Sequence, residues 1–310
     1  MQSFACLMYH NVVRNGSLRE PSNEWAALSP SILSYFVEER AFAEQIAALK
    51  SSVELVTLQQ VREFYASVLP SPPGRGAGGE GAPAADHATL PTNTGSLATS
   101  ATTSKATLLT FDDGWAGTLH LAAPILRAAN SEATVFVTTD LIDKPGFLTS
   151  SELANLPKEL QVGSHTKTHC FLNELPSDQI REELRVSKQV LEEITGREID
   201  TISIPNGAVD RRVTQIASEV GYRLVFTSEV HSNTRHSGPL EIGRAAVRTN
   251  STTQQILHFA RGEYGRESLR RLVLGLPKAI LGPGRYRRLR ARLLGEQGGQ
   301  LEMTDLVAGR

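Results

Sequence analysis

Between residues 107 and 227 short apolar runs alternate with longer amphipathic stretches, and no other feature restricts the fold of this chain as strongly. Residues 107–111, 133–137 and 161–164 are short and bounded by polar positions, which suits buried strands. Residues 115–129 carry a helical period between the first two. Ser177 is the expected N-cap of a helix with Ile180, Leu184, Leu191 and Ile194 on one face, ending before Gly196. A strand at 201–204, a helix at 210–220 and a strand at 224–227 continue the series. Upstream, residues 4–9 and 54–58 read as strands and 34–50 as a helix. Such alternation implies an α/β fold with a mostly parallel sheet, either closed as a (β/α) barrel or open and doubly wound; the barrel is the expected form.

The polar candidates stand where such a sheet would use them. His10 follows the first strand, Asp112 and Asp113 the one at 107–111, His165 the one at 161–164, and Pro205-Asn206-Gly207 follows Ile204. Active sites of parallel α/β folds assemble at the C-terminal ends of the strands.

A length of 310 residues suffices for one large core, and the expected division is a catalytic domain over 1–262 and a basic helical extension over 263–310. Residues 70–105, rich in Pro, Gly, Ala, Ser and Thr without a hydrophobic period, are expected to be a disordered insertion within that domain. A formal charge of -1 with 21% charged residues gives no global field for nucleic acid. Two cysteines, Cys6 and Cys170, exclude a multi-disulfide scaffold and leave two thiols or a single bridge. The start of the chain lacks a basic leader with a long apolar run, and no stretch reaches the roughly 18 apolar residues of a spanning helix, so a soluble cytoplasmic protein is expected. The Lys- and Arg-rich stretch 261–292 has two readings: a helix lying peripherally on an anionic membrane, or a solvated helix packed on the catalytic domain.

Adjacent carboxylates can divide two tasks, one binding a metal while the other takes a proton from water. Asp113 is the expected metal ligand and Asp112 the expected base. His165 and His169, four apart, share one side of a helical turn and complete a metal site. Cys170 is a conceivable soft ligand, but adjacent positions seldom reach the same ion, and a buried structural thiol is preferred. His10 is open between core residue and catalytic acid, and Trp115 between core and sugar platform, with core favoured for the latter.

Taken together, Thr110-Phe111-Asp112-Asp113-Gly114 and Gly163-Ser164-His165-Thr166-Lys167-Thr168-His169 resemble the first two signature motifs of the polysaccharide deacetylases, the NodB-homology group or carbohydrate esterase family 4. The likeness extends over most of residues 3–260. It implies a distorted (β/α) barrel, a divalent metal (zinc, with cobalt or nickel as alternatives) and hydrolysis of N-acetyl groups on amino sugars of a saccharide. By that resemblance Asp112 matches the catalytic base, and Asp113, His165 and His169 the metal ligands. The opening Leu7-Met8-Tyr9-His10-Asn11-Val12 is similar to the start of the exopolysaccharide branch, whose catalytic-acid histidine comes first, and so assigns His10 as acid ahead of His258. Pro205, Asn206 and Gly207 follow the third motif and would supply a backbone N–H to the oxyanion. Ser203 stands where many members carry an arginine that orients the base. The lack of a leader points to a cytoplasmic or membrane-surface substrate such as a lipid-linked saccharide. O-acetyl esters, non-sugar amides and imides, and a silent saccharide-binding role are the alternatives.

Overall fold

The computed structural model describes residues 1–19, 25–67, 105–264 and 301–309. The expected insertion at 70–105, Lys105 apart, and most of the expected basic extension, residues 265–300, lie outside the described residues.

Apolar, β-branched segments form the sheet. Its strands are β1 (Ser3–Tyr9), β4 (Glu54–Val56), β5 (Ala106–Phe111), β6 (Ala133–Val137), β7 (Leu160–Ser164), β8 (Thr201–Ser203), β9 (Leu224–Phe226), β10 (Asn233–Thr234) and β11 (Ala245–Ala246). The order is β10-β1-β5-β6-β7-β8-β9, with β4 on β5 and β11 on β1, and only β10 runs antiparallel to its neighbour. The segment 239–247 joins the two ends of this curled sheet. It bonds to β9 through Val225 N to Pro239 O and Thr227 N to Ile242 O, both 2.8 Å, and then to β1 through Val247 N to Met8 O at 2.9 Å. The expected barrel is therefore the form observed, distorted by this thin seam.

Alternation along the strands separates two apolar clusters. Phe4 and Cys6 on β1 and Ala106 and Leu108 on β5 pack with Phe136, Phe226 and Ile242, while Ala5, Leu7, Tyr9, Leu109 and Phe111 pack with the helices. The same parity, carried past the strand ends, sets Met8 and His10 on the side of Cys6, and Thr110 and Asp112 on the side of Leu108. The helix α3 (Leu58–Tyr65) adds Leu58, Val61, Phe64 and Tyr65 to the inner cluster.

Several expected boundaries move. The strand expected at 54–58 stops at Val56, because Thr57 and Gln60 form a capping box that starts α3. The helix expected from 34 begins as α2 (Glu39–Ser52); before it, β3 (Phe36–Glu38) pairs with β2 (Asn11–Val13) in a separate ribbon, near the short helix α1 (Pro30–Leu33). The helix expected from Trp115 starts as a π-turn, Thr118–Ala122, and continues as α4 (Ala123–Ala128), where Pro124 cannot donate to the preceding turn. Pro176, not Ser177, caps α6 (Ser177–Thr195), which ends at left-handed Gly196 as expected. The helix expected at 210–220 is α7 (Arg211–Val220), capped by the Asp210 side chain, and α8 (Thr253–Ala260) packs on α2 and β1. Both cysteines are free thiols, which removes the single-bridge reading. Among the described residues no helix is long and apolar enough to cross a membrane.

Candidate active site

The end of β5 turns sharply. Asp113 takes a left-handed backbone with φ 74°, and Gly114 follows at φ 88°, where an added Cβ would meet Val137 Cγ1 at 3.1 Å. This turn sends neighbouring carboxylates in different directions, which is how adjacent residues divide two tasks.

Asp112 is buried against Arg244. The guanidinium donates from Nη1 to Oδ1 at 2.7 Å and from Nη2 to Oδ2 at 2.8 Å, and Ser203 Oγ donates to Oδ2 at 3.2 Å. Arg244 is 1% exposed and is itself held through Nε to Thr227 O at 3.0 Å and Nη2 to Ser203 Oγ at 2.6 Å. Burial raises the Asp112 carboxyl, but the charge and hydrogen bonds of Arg244 prevail and hold it below its ordinary value. Arg244 thus supplies the guanidinium missing at Ser203, and Ser203 becomes the bridge between arginine and carboxylate. Nothing in the sequence motifs marks Arg244, since its partner lies 132 residues away.

Asp113 accepts a 3.0 Å hydrogen bond on Oδ2 from the Trp115 indole N–H. Trp115 is 1% exposed, among Trp25, Phe36 and Phe147, so it is a core residue that also orients a carboxylate, not a sugar platform. Oδ1 is buried without an aligned hydrogen bond, 3.5 Å from His165 Nε2 and 3.3 Å from His169 Nε2. His165 Nδ1 lies 2.8 Å from the Ser203 carbonyl, which fixes the proton there and turns the Nε2 lone pair toward Asp113. Burial pushes the His165 imidazole down to about 4, so it is neutral, the form that binds metals.

The histidines do not share a helical turn as expected. Residues 165–170 form a loop with left-handed Thr166 (φ 66°) and His169 (φ 58°). The Glu183 carboxylate of α6 gathers the Lys167 N–H, Thr168 N–H and Thr168 hydroxyl at 3.0, 2.9 and 2.8 Å, and so shapes the loop. Sequence reasoning missed Glu183. The outcome nevertheless matches the expected ligand set: one donor atom from each of Asp113, His165 and His169 lies within 4.8 Å of the others. Nitrogen and oxygen ligands about 2 Å from a central ion would have such spacing, and the orphaned Oδ1 would gain a partner from one. These residues fit a divalent cation. Cys170 stands apart from the group, with burial pushing its thiol up to about 11.

These groups form the floor of a cavity of about 500 Å³ that also takes in His10 and Asn206. The His10 ring stacks on Tyr35 with centroids 4.4 Å apart, and its Nδ1 has no partner among the described residues. Burial lowers its pKa, against the opposing charges of Asp113 and Asp112. His258 is elsewhere, exposed on α8 and paired with Glu263 at 2.7 Å. Of the expected oxyanion residues, Pro205 has no N–H and Gly207 donates to Ile204 O at 3.1 Å, which leaves Asn206, a left-handed residue that lines the cavity.

Residues 99–225 match the family model "Polysaccharide deacetylase". The chain is 28% identical over 144 residues to "Putative polysaccharide deacetylase YxkH" of Bacillus subtilis, an alignment covering 46% of this chain and 52% of that one. It therefore spans about half the length of this curated relative. Among solved structures, the fold is similar to Streptococcus pyogenes deacetylase PplD in complex with acetate (TM-score 0.62, 20% identity, 84% of this chain and 99% of that one). It is similar also to a de-N-acetylase from Aggregatibacter actinomycetemcomitans (TM-score 0.60, 16% identity, 83% and 99%). The motif residues 110–114 and 163–169 lie within the matched stretch, so residues 99–225 are similar to the polysaccharide deacetylase family, and the fold of the chain resembles that of solved deacetylases.

Proposed function

We propose that this chain is a metal-dependent carbohydrate N-deacetylase that removes acetyl groups from amino sugars of a saccharide or glycan precursor. The observation that carries the reading is the difference between residues 112 and 113: one carboxylate is held ionised by Arg244, the other leaves an oxygen unpaired between two imidazoles.

Asp113, His165 and His169 would hold the divalent cation, zinc by the chemistry of the donor set. Such a cation, when bound, polarises a carbonyl and brings the pKa of water toward about 7. Asp112, kept ionised by Arg244, accepts the proton of the attacking water. Asn206, which lines the cavity, donates its N–H as charge grows on the acetamide oxygen. His10, held against Tyr35, protonates the leaving nitrogen. Burial lowers the pKa of its imidazole, the two aspartates oppose that shift, and negative charge building on the substrate favours uptake from solvent of the proton that His10 passes to nitrogen. Acetate and a free amine are the products. The de-N-acetylase named above supports the amide reading over an ester one, as does the resemblance of Leu7–Val12 to the exopolysaccharide branch, which suggests a role in polysaccharide biosynthesis.

The test is acetate release from N-acetylated and O-acetylated saccharides with the metal-stripped and the metal-restored chain. Release confined to the O-acetyl substrates would replace the N-deacetylase by an esterase.

A further inference from the structure

The segment 301–308 lies outside the residues that match the family, yet it forms part of the cavity wall. Leu301 pairs with Leu28, donating to Ala27 O at 2.8 Å and accepting from Ser29 N at 3.0 Å. The helix Met303–Ala308 follows, its start closed by reciprocal hydrogen bonds between Glu302 and Asp305. Met303 is 8% exposed and belongs to the apolar cluster of Ile32, Phe36 and Trp115, with Leu301, Leu306 and Val307 packed against it. Lys144 Nζ donates to the carbonyls of Leu306 and Val307 at 2.7 and 2.5 Å, a cation on the last turn. Backbone pairing, apolar burial and a charged cap therefore hold the segment in place.

What it brings to the cavity is Glu302, Met303 and Thr304. A carboxylate has about four acceptor positions, so Glu302 can cap its helix and still accept from a ligand. Thr304 adds a hydroxyl that donates or accepts, and Met303 adds an adaptable apolar surface. Hydroxyl-binding groups flanking an apolar contact match a sugar ring, which has hydroxyls at its edge and C–H groups on its faces.

We infer that Glu302, Met303 and Thr304 form a sugar-binding subsite that sets the affinity of the enzyme for its saccharide without taking part in the chemical step. The inference rests on the deacetylase reading above. It is tested by steady-state kinetics of acetate release from an N-acetylated oligosaccharide, comparing the full chain with Glu302→Gln, Thr304→Val and Lys144→Met. Replacing a charged acceptor by a neutral amide, which weakens the hydrogen bond and sets an N–H2 against one of the sugar's donors, corresponds to about a tenfold rise in KM for Glu302→Gln. A smaller rise is expected for Thr304→Val, and kcat should stay within about twofold in both. Lys144→Met, which loosens the segment from a distance, should raise KM in the same direction. Calorimetric titration of the oligosaccharide into Asp112→Asn and Asp112→Asn/Glu302→Gln proteins should give a matching rise in Kd, with circular dichroism confirming that each is folded. An active parent whose variants keep KM and Kd unchanged overturns this inference alone. A parent that neither cleaves nor binds any saccharide overturns it together with the deacetylase reading.

Discussion

At the floor of the cavity, directed hydrogen bonds fix both carboxylates and one imidazole: Arg244 and Ser203 on Asp112, Trp115 on Asp113, the Ser203 carbonyl on His165. The wall leans more on packing: Ile32 and Met303, each 8% exposed, sit in an apolar cluster and Tyr35 lies against the His10 ring, while main-chain bonds of Leu301 and a hydrogen bond from Arg248 to the Tyr35 hydroxyl anchor these elements at their edges. Packing tolerates small shifts that would disable a hydrogen-bonded charge. On the function proposed above, the floor would set the reaction and the wall the choice of saccharide. The matched region, residues 99–225, holds Asp112, Asp113, His165, His169 and Asn206, whereas Tyr35 and Met303 of the wall lie outside it, as do His10 and Arg244 of the floor.

Substitutions on the floor should break this contrast most severely. Asp113→Ala removes the carboxylate ligand, and acetate release should fall to the metal-free background with zinc absent from the purified protein by elemental analysis. His10→Ala should retain zinc while kcat falls by about 10²–10⁴-fold, the range of a lost general acid; full activity would remove His10 from the reaction. Arg244→Met leaves a buried carboxylate unpaired, for which a loss of about 3–5 kcal/mol is expected from denaturant unfolding.

The Asp112–Arg244 pair also has a pH signature. The folded Asp112 carboxyl lies below its ordinary value, so its stabilising contribution is complete above the unfolded value of about 3.9 and is lost as the pH falls toward the folded one. The parent should lose stability in that acid window, and Arg244→Met should lose less. The smallest effect belongs to Trp115→Phe, which keeps an aromatic ring in the core but removes the hydrogen bond to Asp113. Zinc affinity should drop by about 10–100-fold in a chelator competition, with little change in melting temperature.

The clustering of Asp112, Asp113, His165 and His169 was legible because the aspartates share one turn and the histidines one loop, so covalent spacing already limits where they can be. Strand positions were legible from period and composition, and boundaries slipped where a local device overrode them, as the Thr57–Gln60 box did at the end of β4. Arg244, Glu183 and the 301–308 segment were not legible. Each acts through contacts that only folding creates, Arg244 across the seam that joins β9 to β1 and the 301–308 segment across the whole chain. The helical turn expected for His165 and His169 failed for a related reason, since Glu183 on another element pulls the loop into shape.

The central claim, a metal-dependent deacetylation run by the floor, is tested most directly by acetate release from N-acetylated oligosaccharides. The assay compares metal-stripped chain, the same chain with zinc or cobalt restored, and Asp112→Asn. The account predicts release that returns with metal and is absent in Asp112→Asn, which should still bind zinc. Release that is indifferent to metal, or that survives in Asp112→Asn, would contradict it.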